Sequence, residues 1–194
     1  MYDPKWGSKP FISVKANMRF YYFLSRNSVK QPVAAFPKGL RIMAGGPDNN
    51  SPQPYFSYGC QVNKDLTGAL ASSSFYFPSS CPYGLVASLY FPQCWDGINL
   101  WLPKSAHMSY PAGDNIRQSP CPMSHPIRVP LIMMEVTWTP EGVAPGVAVN
   151  GRLAFSTGDM TGYSLHGDFV NGWDVDLLAK ALNTTGCVGT NSEM

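Results

Sequence analysis

The sequence predicts a mainly β fold: an antiparallel β-sandwich, or a jelly-roll-like variant of one, with long loops and one C-terminal helix. Three observations carry this expectation. Eighteen prolines and eighteen glycines in 194 residues break the chain too often for long helices. Between the breaks lie short apolar and aromatic runs of strand length. Only the stretch after Asp174 has helical spacing bounded by start and stop signals. The length suits one domain spanning residues 1–194, with no internal repeat and no linker.

In chain order, Phe11 to Lys15 and Met18 to Leu24 read as strands, the second carrying Phe20, Tyr21, Tyr22 and Phe23. Residues 34–48 read as turn, short strand (Leu40 to Met43) and a second turn at Gly45-Gly46-Pro47. Residues 49–54 read as loop, and Ser72 to Pro82 as irregular. Leu85 to Phe91 alternates weakly and suits a buried strand. Ile127 to Trp138 is the longest apolar run. Pro126 and Pro130 make its start strand-like, because proline supplies no amide donor to a helix interior. Within that run Glu135 points away from Met134 and Val136, toward solvent or a polar pocket. Asp174 then caps a helix whose apolar face is Val175, Leu177, Leu178, Ala181 and Leu182, with Gly186 as its stop.

Charged residues make up 13 % of the chain, about half the usual share, and the net charge is +2. That balance, with only Lys5, Lys9, Lys15 and Arg19 near one another, argues against nucleic acid as a partner. No run approaches the roughly 18 apolar residues of a membrane span. Cys60, Cys81, Cys94, Cys121 and Cys187 lack close C-x-x-C pairing and sit beside turn residues, which reads as a disulfide framework in an oxidising compartment. The pairing stays open, with Cys94–Cys121 favoured. Asn49 and Asn183 open N-glycosylation acceptor triplets. The N-terminal residues carry no signal peptide, which conflicts with an oxidising destination. The odd cysteine count and that conflict both predict a start inside a longer natural protein.

All three histidines fall in dense motifs: His107 in CWDGINLWLPKSAHMSYP, His125 in CPMSHPIRVP and His166 in GYSLHGDF. Imidazole titrates near neutral pH and ligates metals through a neutral nitrogen. His107, His125 and His166 are therefore candidate ligands of a divalent metal, completed by Asp168 or Asp96. His166, Asp168 and His107 are the candidate catalytic groups, since a carboxylate and an imidazole two residues apart share one face of an extended segment. The alternative is bracing: histidines that bond loop carbonyls, and Asp-Gly turns whose carboxylates cap nearby amides. Asp159 reads as such a turn. Trp101 and Tyr110 flank His107 and suit stacking on sugar rings, as does Trp173; Trp138 reads as core. Asp96, Asn99, Trp101, Tyr110, His125 and Trp173 form the candidate ligand-binding set. No G-x-S-x-G surrounds a serine, and no G-K-[ST] follows Gly45-Gly46-Pro47.

Four motifs in order resemble the DUF1996 family of domains of unknown function. They are CWDGIN from Cys94, AHMSYP from Ala106, CPMSHPIRVP from Cys121 and STGDMTGYSLHGDFVNGW from Ser156. The resemblance covers about residues 11–187. It implies a secreted or surface-attached fungal protein, often joined to a wall-binding WSC domain. It also implies an upstream segment with a His-x-His pair, which this chain lacks. The combined expectation is a module acting at the cell wall or on extracellular polysaccharide, through a groove between residues 94–111 and 158–173. A metal-assisted or acid–base polysaccharide hydrolase or lyase is the enzymatic alternative, and a purely structural wall protein is the third.

Overall fold

The computed structural model describes residues 16–24, 31–65, 69–75, 81–138 and 154–183. The expected strand at Phe11 to Lys15, Cys187, the helix stop at Gly186 and the end of the Asn183 triplet lie outside them. Strand β1 is Ala16–Phe23, β2 Arg41–Gly45, β3 Phe56–Cys60, β4 Leu70–Ser72 and β5 Leu85–Tyr90. Then come β6 Cys94–Trp95, β7 Met108–Ser109, β8 Ile127–Arg128, β9 Leu131–Trp138, β10 His166–Val170 and helix α1 Val175–Leu182.

The strands form a five-stranded sheet ordered β1-β9-β5-β3-β4, a two-stranded sheet β10-β2 and a three-stranded sheet β7-β6-β8. Every ladder between named strands is antiparallel, and no barrel closes among the described residues. The fold is thus mainly β with one C-terminal helix.

Alternation decides which faces meet. In β9 Ile132, Met134 and Val136 are buried while Met133, Glu135 and Thr137 are half-buried on the other face. Glu135 sits opposite Arg19 in register, 3.6 Å from its guanidinium, and takes a hydrogen bond from Tyr21 Oη at 3.4 Å. Ile42 and Ala44 of β2 and Phe169 of β10 join Leu85, Ala87, Leu89, Ile132, Met134 and Val136 in one core. Gly167 marks a close approach of the two sheets. A Cβ there would lie 3.0 Å from Phe91, 3.1 Å from Leu89 and 3.3 Å from Met134.

The long apolar run Ile127 to Trp138 is two strands rather than one. Val129 and Pro130 break it, so β8 serves the three-stranded sheet and β9 the five-stranded one. Pro130 has no amide to continue a ladder, which is the physical reason for the break. Strands β3 and β4 were not marked in advance. Phe56, Tyr58 and Cys60 do alternate, but Ser57 and Gly59 between them resemble turn residues. Ser72, expected at the start of an irregular stretch, closes β4.

Disulfides join Cys60 to Cys81 and Cys94 to Cys121, the second across a separation of 27 residues. Helix α1 starts where Asp174 accepts the Leu177 amide at 2.8 Å, and it buries Leu178 completely. No helix among the described residues is long and apolar enough to cross a membrane.

Candidate functional site

Strand β2 organises the region. One edge pairs with β10; the other is held by residues 100–107. Leu100 O accepts the Arg41 amide at 3.0 Å, and the Ser105 hydroxyl oxygen accepts the Met43 amide at 2.6 Å. His107 completes this edge. Its Nδ1 accepts the Leu102 amide at 3.2 Å, which leaves the proton on Nε2 to donate to Arg41 O at 2.7 Å. The ring is fully buried. Both nitrogens therefore serve backbone groups.

His125 is held in a similar way. Its Nδ1 lies 3.0 Å from Ser124 Oγ and its Nε2 3.2 Å from Ala106 O. The WDGIN segment is a closed turn. Asp96 Oδ1 accepts the Ile98 and Asn99 amides at 2.8 and 2.9 Å, Oδ2 accepts Asn99 Nδ2 at 2.7 Å, and Trp95 Nε1 donates to Asn99 O. Burial pushes the Asp96 carboxyl up, but these hydrogen bonds outweigh it and hold it below the ordinary range. Trp101 stands half open beside this turn, 41 % exposed, with the Arg41 guanidinium 6.0 Å over its ring.

Strand β10 presents the His-Gly-Asp triplet with alternating faces: Gly167 inward, His166 and Asp168 outward. His166 Nδ1 lies 2.9 Å from Ser164 O, at the rim of a hollow of about 150 Å³ lined also by Phe155 and Ser164. Trp173 instead meets Tyr22 edge-on at 5.3 Å, beside a hollow of about 370 Å³. Among the described residues no group of three or more His, Cys, Asp or Glu side chains is placed to hold a metal ion. His107, His125 and His166 are thus not gathered into one ligand set.

A larger groove, of about 480 Å³, opens beside β2. It is lined by Met43 to Asn49, Gln53, Pro54 and Phe56 and by Pro92, Lys104, Ser105, Met108 and Tyr110. Of the two segments the sequence singled out, residues 94–111 contribute four lining residues and residues 158–173 none. The His-Gly-Asp strand adjoins the groove through pairing, with His166 opposite Gly45 and Asp168 opposite Met43. Gly45 has φ +75°, and a Cβ there would lie 2.3 Å from Leu165 O and 2.9 Å from the Phe56 ring. Only glycine fits there between the Leu165 carbonyl and the ring of Phe56, which lines the groove.

Tyr110 is fixed by its hydroxyl on Tyr90 O at 2.8 Å and by Tyr55, ring centroids 4.4 Å apart. Burial raises its pKa, so it stays a neutral donor. Tyr55 (φ +68°), Lys104 (φ +54°) and Ser105 (φ +52°) are the non-glycine residues with left-handed backbone among the described residues. Lys104 and Ser105 line the groove, and Tyr55 lies between its lining residues Pro54 and Phe56. Such conformations cost about 1–3 kcal/mol each and concentrate at functional sites. Of the groove residues the sequence singled out Tyr110 for ligand binding and Asn49 for glycosylation. Met43, Asp48, Gln53 and Phe56 carry no local motif; Lys104 lies within the motif around His107, but left-handed φ at a lysine has no sequence signature.

No curated relative and no solved structure matches the chain. The family described as Domain of unknown function (DUF1996) matches residues 2–173, which include the β2 edge, the groove and the His-Gly-Asp strand. The chain belongs to the DUF1996 family.

Proposed function

We propose that this chain is a glycan-binding module of a secreted or wall-attached protein, with extracellular polysaccharide as its ligand. The observation that carries the reading is the groove beside β2. Its volume falls in the range of small-ligand sites. Phe56 and Tyr110 offer ring faces for the apolar face of a sugar, while Asn49, Gln53 and Asp48 offer amide and carboxylate partners for hydroxyls. The left-handed residues around it support a preformed site, because backbone strain set during folding spares a ligand the cost of ordering it. The two disulfides are in keeping with an extracellular setting.

The test is calorimetric titration with soluble wall-type oligosaccharides, comparing the wild type with an Asn49→Ala, Gln53→Ala double variant. Both side chains lie on an outer loop, so the melting temperature should hold while affinity falls at least about tenfold. Equal affinity in the two proteins, or no binding to any neutral or acidic oligosaccharide, overturns the reading. A hydrolytic second reading is favoured by one observation, the shared outward face of His166 and Asp168 beside the groove wall. It expects Asp168→Asn to abolish release of reducing ends while binding persists. Absence of reducing-end release by the wild type overturns it.

A further inference from the structure

Lys104 occupies a position in the groove that suits its side chain and disfavours its backbone. Its φ and ψ are +54° and +27°, left-handed values that glycine adopts freely and a lysine adopts only under strain. The segment cannot relax easily. Pro103 precedes Lys104, and buried Ser105, itself at φ +52°, is tied to the Met43 amide on the edge of β2.

The side chain is exposed and carries its charge at the open groove. Among the described residues Lys104 is the one cationic side chain lining the groove and Asp48 the one anionic one, and they form no ion pair. Among the described residues the Lys104 ammonium has no carboxylate partner and no hydrogen bond. An exposed cation lining a groove, on strained backbone and without a protein counter-ion, is available to an anionic group on the ligand.

We infer that Lys104 is a specificity-determining residue that pairs with a sugar carboxylate, so that the groove selects uronic-acid-containing polysaccharide. This rests on the glycan-binding reading above. Asp48 in the same groove repels a densely charged polyanion, so the fit is to a chain in which an acidic sugar is flanked by neutral ones. Amides Asn49 and Gln53 then meet the neutral sugars' hydroxyls.

The experiment is titration of the full chain with a glucuronic-acid-substituted xylo-oligosaccharide and with its carboxyl-reduced, neutral counterpart. Wild type, Lys104→Met, Lys104→Arg and Lys104→Gly are compared, each checked for folding by its melting temperature. The wild type is expected to prefer the acidic ligand by roughly ten- to a hundredfold, the range of a charge-assisted hydrogen bond. The preference should shrink at high salt, vanish in Lys104→Met and persist in Lys104→Arg. Lys104→Gly should lose the preference while melting higher, because it removes the backbone strain. Equal binding of the two ligands by the wild type, an undiminished preference in Lys104→Met, or binding of neither ligand overturns the inference and leaves the glycan-binding reading standing. That reading falls only if no oligosaccharide of the wider neutral and acidic set binds.

Discussion

Asp159 shows how much a single side chain does in the loop before β10. Its Oδ1 accepts the Thr161 amide and hydroxyl at 2.7 and 2.6 Å and the Gly162 amide at 3.2 Å. Its Oδ2 accepts the Ser164 amide and hydroxyl at 2.9 and 2.6 Å. Partial burial raises the carboxyl pKa, but the Ser164 and Thr161 bonds prevail and lower it to about 2. Because the folded value lies below the unfolded one, the stabilisation is complete above the ordinary carboxylate pKa of about 4. It is lost as pH falls from there through about 2. At neutral pH Asp159→Asn should therefore destabilise by on the order of 1 kcal/mol, a figure reduced for partial exposure. The difference between variant and wild type should disappear below pH 2, as checked by denaturant melts across pH. A constant difference at all pH values would falsify the assignment. The Asp-Met-Thr-Gly sequence announced this turn, since a short carboxylate before threonine and glycine is turn chemistry at any position in any fold.

At the scale of elements, α1 and the β2 edge make a contrast. Helix α1 was legible because capping and amphipathic spacing are local: Asp174 meets an amide three residues away, and Leu178 falls on the buried face. Asp174→Ala should cost about 1 kcal/mol, lowering the melting temperature by a few degrees with little change in the far-ultraviolet spectrum. An unchanged melting temperature would remove the cap from the account. The β2 edge was not legible. Its partners Leu100, Ser105 and His107 lie far away in sequence and contribute, respectively, a carbonyl, a hydroxyl and an imidazole. No periodicity records such an edge. Seen from the sequence, His107 was open to being a ligand, a catalyst or a brace; the structure gives both its nitrogens backbone partners.

Across the whole molecule, the Cys94–Cys121 bridge joins the WDGIN turn to the segment leading into β8. Between the two cysteines, residues 112–120 close on themselves through the Ala112 amide and Pro120 O at 2.8 Å. Arg128 of β8 then reaches in, nearly fully buried. Its guanidinium donates to Ser119 O at 2.8 Å, Arg117 O at 3.0 Å and Ile116 O at 3.2 Å. Gln93 Nε2 donates to Ile116 O as well. Replacing both cysteines by serine should destabilise by about 3–4 kcal/mol, the chain-entropy value for a loop of this length. Residues 112–120 should then lose amide protection in hydrogen exchange before the five-stranded sheet does. Simultaneous loss of protection everywhere would show instead that the loop and sheet unfold as one unit.

By itself the sequence determined what neighbouring residues decide: the mainly β class, the strand Leu85–Tyr90 and most of β1, the capped helix, the Asp159 turn and the family. Each rests on spacing of a few residues, over which backbone preference and side-chain reach act directly. Tertiary structure alone decided that the Ile127–Trp138 run divides between two sheets, and that β10 faces the five-stranded sheet through Gly167. It alone placed Lys104, Phe56 and Tyr110 around one groove. Those outcomes depend on which distant surfaces exclude water together, and burial between remote segments leaves no period in the chain.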